Sequence, residues 1–186
     1  MRLDEIFSAG TKFKEFSQSD IDKAEFYIKN SSMKDIDLEG GEYSLKITPN
    51  DFYGLFRDEE LVGWAKIENS PNKNVDLRLI YILSKFRKTK AFLIFLNSIK
   101  SELKKPIAID GAIFKDGEDV LKSLSKRDLF KVKVVDSVTG KEEDFTGTVP
   151  NDKKKYIVLE GFDFPLGERY FAPGGGYVDQ SFVLFD

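Results

Sequence analysis

Leu79-Ile80-Tyr81-Ile82-Leu83, then Ser84-Lys85-Phe86-Arg87-Lys88-Thr89-Lys90, then Phe92, Phe95, Leu96, Ile99 and Leu103 at helical spacing: this succession decides the fold. The unbroken apolar and aromatic run reads as a strand buried on both faces. The spaced residues form the apolar stripe of a helix, and Pro106 ends it. Ile107-Ala108-Ile109 then starts another short strand. Strand, cation-rich turn, helix and strand follow one another directly, which reads as part of an α/β layer architecture. The turn would bring backbone N–H groups and positive charge to the helix start, where a phosphate could sit.

Working outward, Ser19 is expected to cap a helix carrying Ile21, Ala24, Tyr27 and Ile28, with Asp22 completing a near capping box. Thr11 to Phe16 reads as a short edge strand before it, and Ser31 to Gly41 as a loop after it. Glu42 to Thr48 alternates as a strand. Phe52 to Arg57 and Leu61 to Glu68 form a hairpin about Asp58-Glu59-Glu60. Ser70 to Asn74 leads into the central strand. Past Phe114, a helix starting at Asp116 or Asp119 carries Val120, Leu121 and Leu124. Phe130, Val132 and Val134 alternate with Lys131 and Lys133, and Asp144 to Val149 is expected to return as the hairpin partner. The element order β-α-β-β-β-β-α-β-α-β-β predicts an α/β layer architecture with mixed strand directions.

Residues 1–149 are therefore expected to form one domain. Pro150-Asn151-Asp152-Lys153-Lys154-Lys155 marks a boundary, and residues 150–186 read as a small C-terminal β extension with strands at Tyr156–Leu159 and Phe182–Phe185. Gly174-Gly175-Gly176 has no helix pattern after it and reads as a turn rather than a phosphate loop.

The chain has 186 residues, 41% hydrophobic and 33% charged, with a net charge of -3. That composition predicts a folded protein in the cytoplasm, without a leader or a membrane span. It offers no continuous basic stripe for nucleic acid. Cysteine and histidine are both absent. Disulfides, thiolate nucleophiles, Cys- or His-ligated metals and Ser-His-Asp catalysis are thereby excluded. Any chemistry must use carboxylates, lysine, tyrosine, hydroxyls, backbone dipoles or a cofactor.

From Thr11 to Val149 the element order resembles the GNAT superfamily of N-acetyltransferases. The resemblance implies a GNAT-like mixed central sheet flanked by helices, acetyl-CoA as cofactor, and transfer of an acetyl group to the amine of a protein or small-molecule acceptor. That family's Arg/Gln-x-x-Gly-x-Gly/Ala signature, which cradles the cofactor's diphosphate, falls on Arg87-Lys88-Thr89-Lys90-Ala91-Phe92. Arg87 matches, whereas Lys90 and Phe92 stand at its small positions. A frame shifted by one uses Thr89 and Ala91 instead. By resemblance, the backbone of Ile82 and Leu83 polarises the thioester carbonyl, and Arg87, Lys88, Thr89, Lys90 and Ala91 hold the phosphates.

The family's general acid is often a tyrosine. Ser125 stands in its place here, with Tyr81 on the central strand as a substitute. Glu68, Asp76 and Asp110, at strand ends, are the candidates for drawing the proton from the amine. Trp64 and most of the 17 phenylalanines read as core. Phe86 and Phe92, which flank the basic turn, could stack on an adenine or dock a partner. The departures from the signature carry a second expectation: a catalytically inactive GNAT-fold protein-binding or structural module, of phage or mobile-element origin.

Overall fold

The computed structural model describes residues 16–38, 40–69, 74–87, 89–109, 115–126 and 130–161. Helix α1 spans Gln18–Ser31. Four strands follow: β1 (Lys34–Asp37), β2 (Tyr43–Ile47), β3 (Phe52–Arg57) and β4 (Glu60–Asn69). Next come β5 (Val75–Ile82), α2 (Ala91–Leu103), β6 (Ile107–Ile109), α3 (Lys115–Lys126), β7 (Phe130–Asp136), β8 (Glu142–Asp144) and β9 (Lys155–Gly161). The strands form one sheet in the order β1-β2-β3-β4-β5-β6-β9-β7-β8. Neighbours are antiparallel except β5 and β6, which run parallel because α2 crosses between them. This is the mixed sheet flanked by helices that the sequence predicts.

Two bulges sort the core into its faces. Opposite β4, Lys66 pairs with Leu79 but Ile67 pairs with Leu77, leaving Arg78 as an extra residue in β5. Strict alternation would put Val75, Leu77, Leu79 and Tyr81 on one face. The bulge instead places Val75, Leu77, Ile80 and Ile82 in the large cluster with α2 and α3, and Leu79, Tyr81 and Leu83 in the cluster with α1. A second irregularity pairs Leu55 with Gly63 and Phe56 with Leu61, so Leu61 and Trp64 share the α1 face. Phe95, Leu96 and Ile99 of α2 are fully buried on the other side.

Two glycines permit close approach. A Cβ on Gly63 would lie 2.3 Å from the Tyr81 carbonyl oxygen, and one on Gly54 would lie 2.7 Å from Ile28 of α1. Between β3 and β4 the chain turns on Asp58 and Glu59, with φ of 48° and 66°. Those positive angles match the twist of a two-residue hairpin.

Several local expectations are corrected. Ser17, not Ser19, caps α1: its hydroxyl accepts the Asp20 N–H at 3.2 Å. Within the expected 31–41 loop lies β1, whose Ile36 pairs opposite Leu45. An exposed edge strand with one apolar residue gives little alternation to read. The hairpin partner of β7 is also different. Its β8 neighbour covers only Lys133 to Val135, and β9 lines its other edge from Phe130 to Asp136. β9 contains the expected Tyr156–Leu159 strand, inserted between β6 and β7, so the sheet continues across the Pro150 position. Residues 11–15 of the expected first strand, Gly174–Gly176 and the Phe182–Phe185 strand lie outside the described residues.

Candidate functional site

At the end of β5 the chain makes a single 3-10 turn, Ser84–Phe86. The Phe86 N–H donates to the Leu83 carbonyl at 2.8 Å, and the Arg87 N–H to the Ser84 carbonyl at 3.2 Å. Arg87 then folds back: its Nε donates to the Ile82 carbonyl at 2.9 Å, and its guanidinium lies 5.3 Å from the Tyr81 ring centroid. Thr89 stitches the turn to α2. Its hydroxyl donates to the Phe86 carbonyl at 2.6 Å and accepts the Ala91 N–H at 3.2 Å. Ala91 is fully buried at the helix start, which brings the backbone there close to β-sheet side chains.

The described cations of this turn have partners within the chain. Lys85 is ion-paired with Glu60 at the start of β4 and sits 5.1 Å above the Phe86 ring. Lys90 pairs with Glu42 at 2.8 Å, and Glu42 also holds Arg57 at 2.7 Å. Lys90 also lies 5.8 Å from the ring centroid of Tyr43. The Tyr43 hydroxyl is held above its ordinary pKa, first by burial and then by the Glu42 carboxylate. Lys88 and Asp110 lie outside the described residues.

Among the described residues, the expected carboxylates Glu68 and Asp76 do not lie at the Arg87 turn. Glu68 sits opposite Asp76 at the beginning of β5, whereas Arg87 follows its end. Six residues of strand separate the two ends by about 20 Å. Glu68 is paired with Arg78 at 2.8 Å, and Asp76 lies 3.9 Å from the same guanidinium. Tyr81 is 6% exposed, with Trp64 at 4.7 Å and Phe16 at 4.8 Å between ring centroids. Ser125 lies half-buried in the last turn of α3, the helix that packs on β7. The Leu83 N–H, expected to face a carbonyl oxygen, donates instead to the Val62 carbonyl at 2.9 Å. Phe86 and Phe92 are half-buried against the core.

One further feature lies beside the turn. β5 pairs with β6 only at Val75 opposite Ile107 and Asp76 opposite Ala108. Beyond Asp76, β5 runs on to the Arg87 turn. The carboxylates Glu42 and Glu60 were missed in the sequence because their partners lie 48 and 25 residues away, and ordinary strand-end acids carry no signal of such a contact.

No protein-family model and no curated protein matches the sequence. Solved structures similar to this chain include a GNAT family acetyltransferase from Elizabethkingia anophelis with acetyl-CoA bound, at 13% identity and TM-score 0.39, covering 83% of this chain and 94% of that one. Arabidopsis thaliana Naa50 in complex with the bisubstrate analogue CoA-Ac-MVNAL is similar at 14% identity and TM-score 0.39, covering 85% and 89%. An acetyltransferase from Streptococcus agalactiae shows 18% identity and TM-score 0.35, covering 85% and 84%. The fold assignment itself stands on the strand order and the α2 crossover.

The frame shifted by one has Thr89 and Ala91 at the small positions. Thr89 and Ala91 stand together at the helix start, and Lys90 turns away to Glu42.

Proposed function

We propose that the chain is an acyl-CoA-dependent N-acyltransferase that transfers an acetyl group to an amine. The observation that carries this reading is the cation-bearing turn that joins the end of β5 to the N-terminus of α2. Arg87, Lys88, Thr89, Lys90 and Ala91 would hold the cofactor's phosphates, with charge from the side chains and N–H donors from the first turn of α2. Bound acetyl-CoA supplies an activated thioester. Arg87 is tied to the Ile82 carbonyl at the end of β5. The backbone of Ile82 would lie beside the acyl group. Glu68 and Asp76, held on Arg78 about 20 Å from Ile82, do not reach an amine attacking there, so the amine's proton would pass to water.

Two observations favour a second reading, a non-catalytic protein-binding or structural module of the same fold. Tyr81 is walled in by aromatic rings, and the Leu83 N–H is committed to Val62. A thiol-release assay separates the two. Because the chain has no cysteine, a thiol reagent reads released CoA without background from the protein. Incubation with acetyl-CoA and a panel of primary amines should give amine-dependent thiol release. Release no faster than in protein-free controls, at any amine, supports the module.

A further inference from the structure

The hairpin tip and the strand start nearest the turn are acidic. Glu60 follows the Asp58-Glu59 turn, Glu42 precedes β2, and each reaches across the fold to one lysine of the Arg87 turn. These are long-range contacts, not neighbours on one helix. They bring two carboxylates to the two described lysines of the turn. Asp58 adds negative charge nearby, since it too acts on the Tyr43 hydroxyl.

Both pairs are partly solvated. Lys85 and Glu60 are 54% and 52% exposed, and Lys90 and Glu42 are 26% and 35% exposed. Ion pairs of this kind are weak and reversible. A phosphate carries more charge than one carboxylate and more acceptor oxygens, so it competes well for the same ammonium groups.

We propose that Glu42 and Glu60 are built-in counter-anions that occupy Lys90 and Lys85 until a polyphosphate-bearing ligand displaces them. This inference rests on the cofactor reading above and adds a regulation to it. The carboxylates lower the turn's affinity for every anion, and a ligand with several phosphates overcomes that competition better than one with none. Neutralising a competitor should therefore tighten binding of a charged ligand and leave an uncharged one unaffected. It should also steepen the fall of affinity with salt, because the ligand then replaces solution counterions rather than a carboxylate.

The test is titration calorimetry of the full chain with CoA and with pantetheine, which lacks phosphates. Glu42→Gln and Glu60→Gln should each tighten CoA about 2- to 5-fold, the range expected for one screened ion pair. Neither should alter the response to pantetheine. Glu143→Gln, on β8 at the far edge of the sheet, should change nothing. Circular dichroism melts establish that the variants fold. If Glu42→Gln does not fold, Glu60→Gln and the salt dependence of CoA binding carry the comparison. Binding of CoA by the unaltered chain with no tightening in the variants would overturn the counter-anion role alone. No binding of CoA by the unaltered chain or by either variant would overturn the cofactor reading and this inference together.

Discussion

At Tyr53, burial in the α2-facing core raises the phenol pKa to about 12, with Asp51 and Glu102 adding to the effect. An unfolded tyrosine ionises near pH 10. Between pH 10 and about 12 the folded chain therefore binds more protons than the unfolded chain, and stability falls as pH rises. Tyr53→Phe removes that dependence, so its denaturation midpoint should decline less steeply over this window than that of the unaltered chain. Equal slopes would contradict the buried, neutral phenol. Gly63 makes a second residue-level case. A methyl group there meets backbone, the Tyr81 carbonyl oxygen, which cannot swing aside as a side chain can. Gly63→Ala should cost about 1–3 kcal/mol in urea unfolding, and an unchanged midpoint would show that β4 and β5 can separate.

At the scale of elements, α1 depends on its cap and α2 on its buried stripe. Ser17→Ala removes the acceptor for the Asp20 N–H and should cost about 1 kcal/mol. Ser19→Ala, at the residue favoured by sequence, should cost less. Phe95→Ala empties a fully buried site and should cost about 3–5 kcal/mol. These elements also mark what the sequence made legible. β2, β3, β4, β5 and α2 announced themselves because each has a clear period or a long apolar run, bounded by Pro, Asn or Asp. β1 did not, because Lys34-Asp35-Ile36-Asp37 has one apolar side chain and sits at an edge. The place of β9 between β6 and β7 was hidden for another reason: local pattern identifies a strand but not its neighbours, and hydrophilic residues after Pro150 resemble a linker whether or not the next strand rejoins the sheet. At the site, the Arg87 turn was legible from charge beside a strand end. The β5 bulge at Arg78 was not, and it decides that Tyr81 faces the α1 core. The lysine partners Glu42 and Glu60 emerge only from the tertiary fold.

For the whole molecule, the sheet carries core on both faces and leads from β5 into the Arg87 turn. β4 backs β5 along its length, while β6 touches only the beginning of β5 among the described residues. The Arg87 turn follows β5, held by Thr89 and by the Ile82 carbonyl. The central claim is that this turn grips the diphosphate of an acyl-CoA. The most direct measurement is the thermal unfolding midpoint with and without acetyl-CoA. At a ligand concentration about 100 times the dissociation constant, binding adds about 2.7 kcal/mol. For a chain of 186 residues that corresponds to a rise of about 5–10 °C. The account predicts a rise of this size at ~1 mM acetyl-CoA for a dissociation constant of ~10 μM, and a smaller rise in Arg87→Ala. An unchanged midpoint at millimolar acetyl-CoA would contradict it.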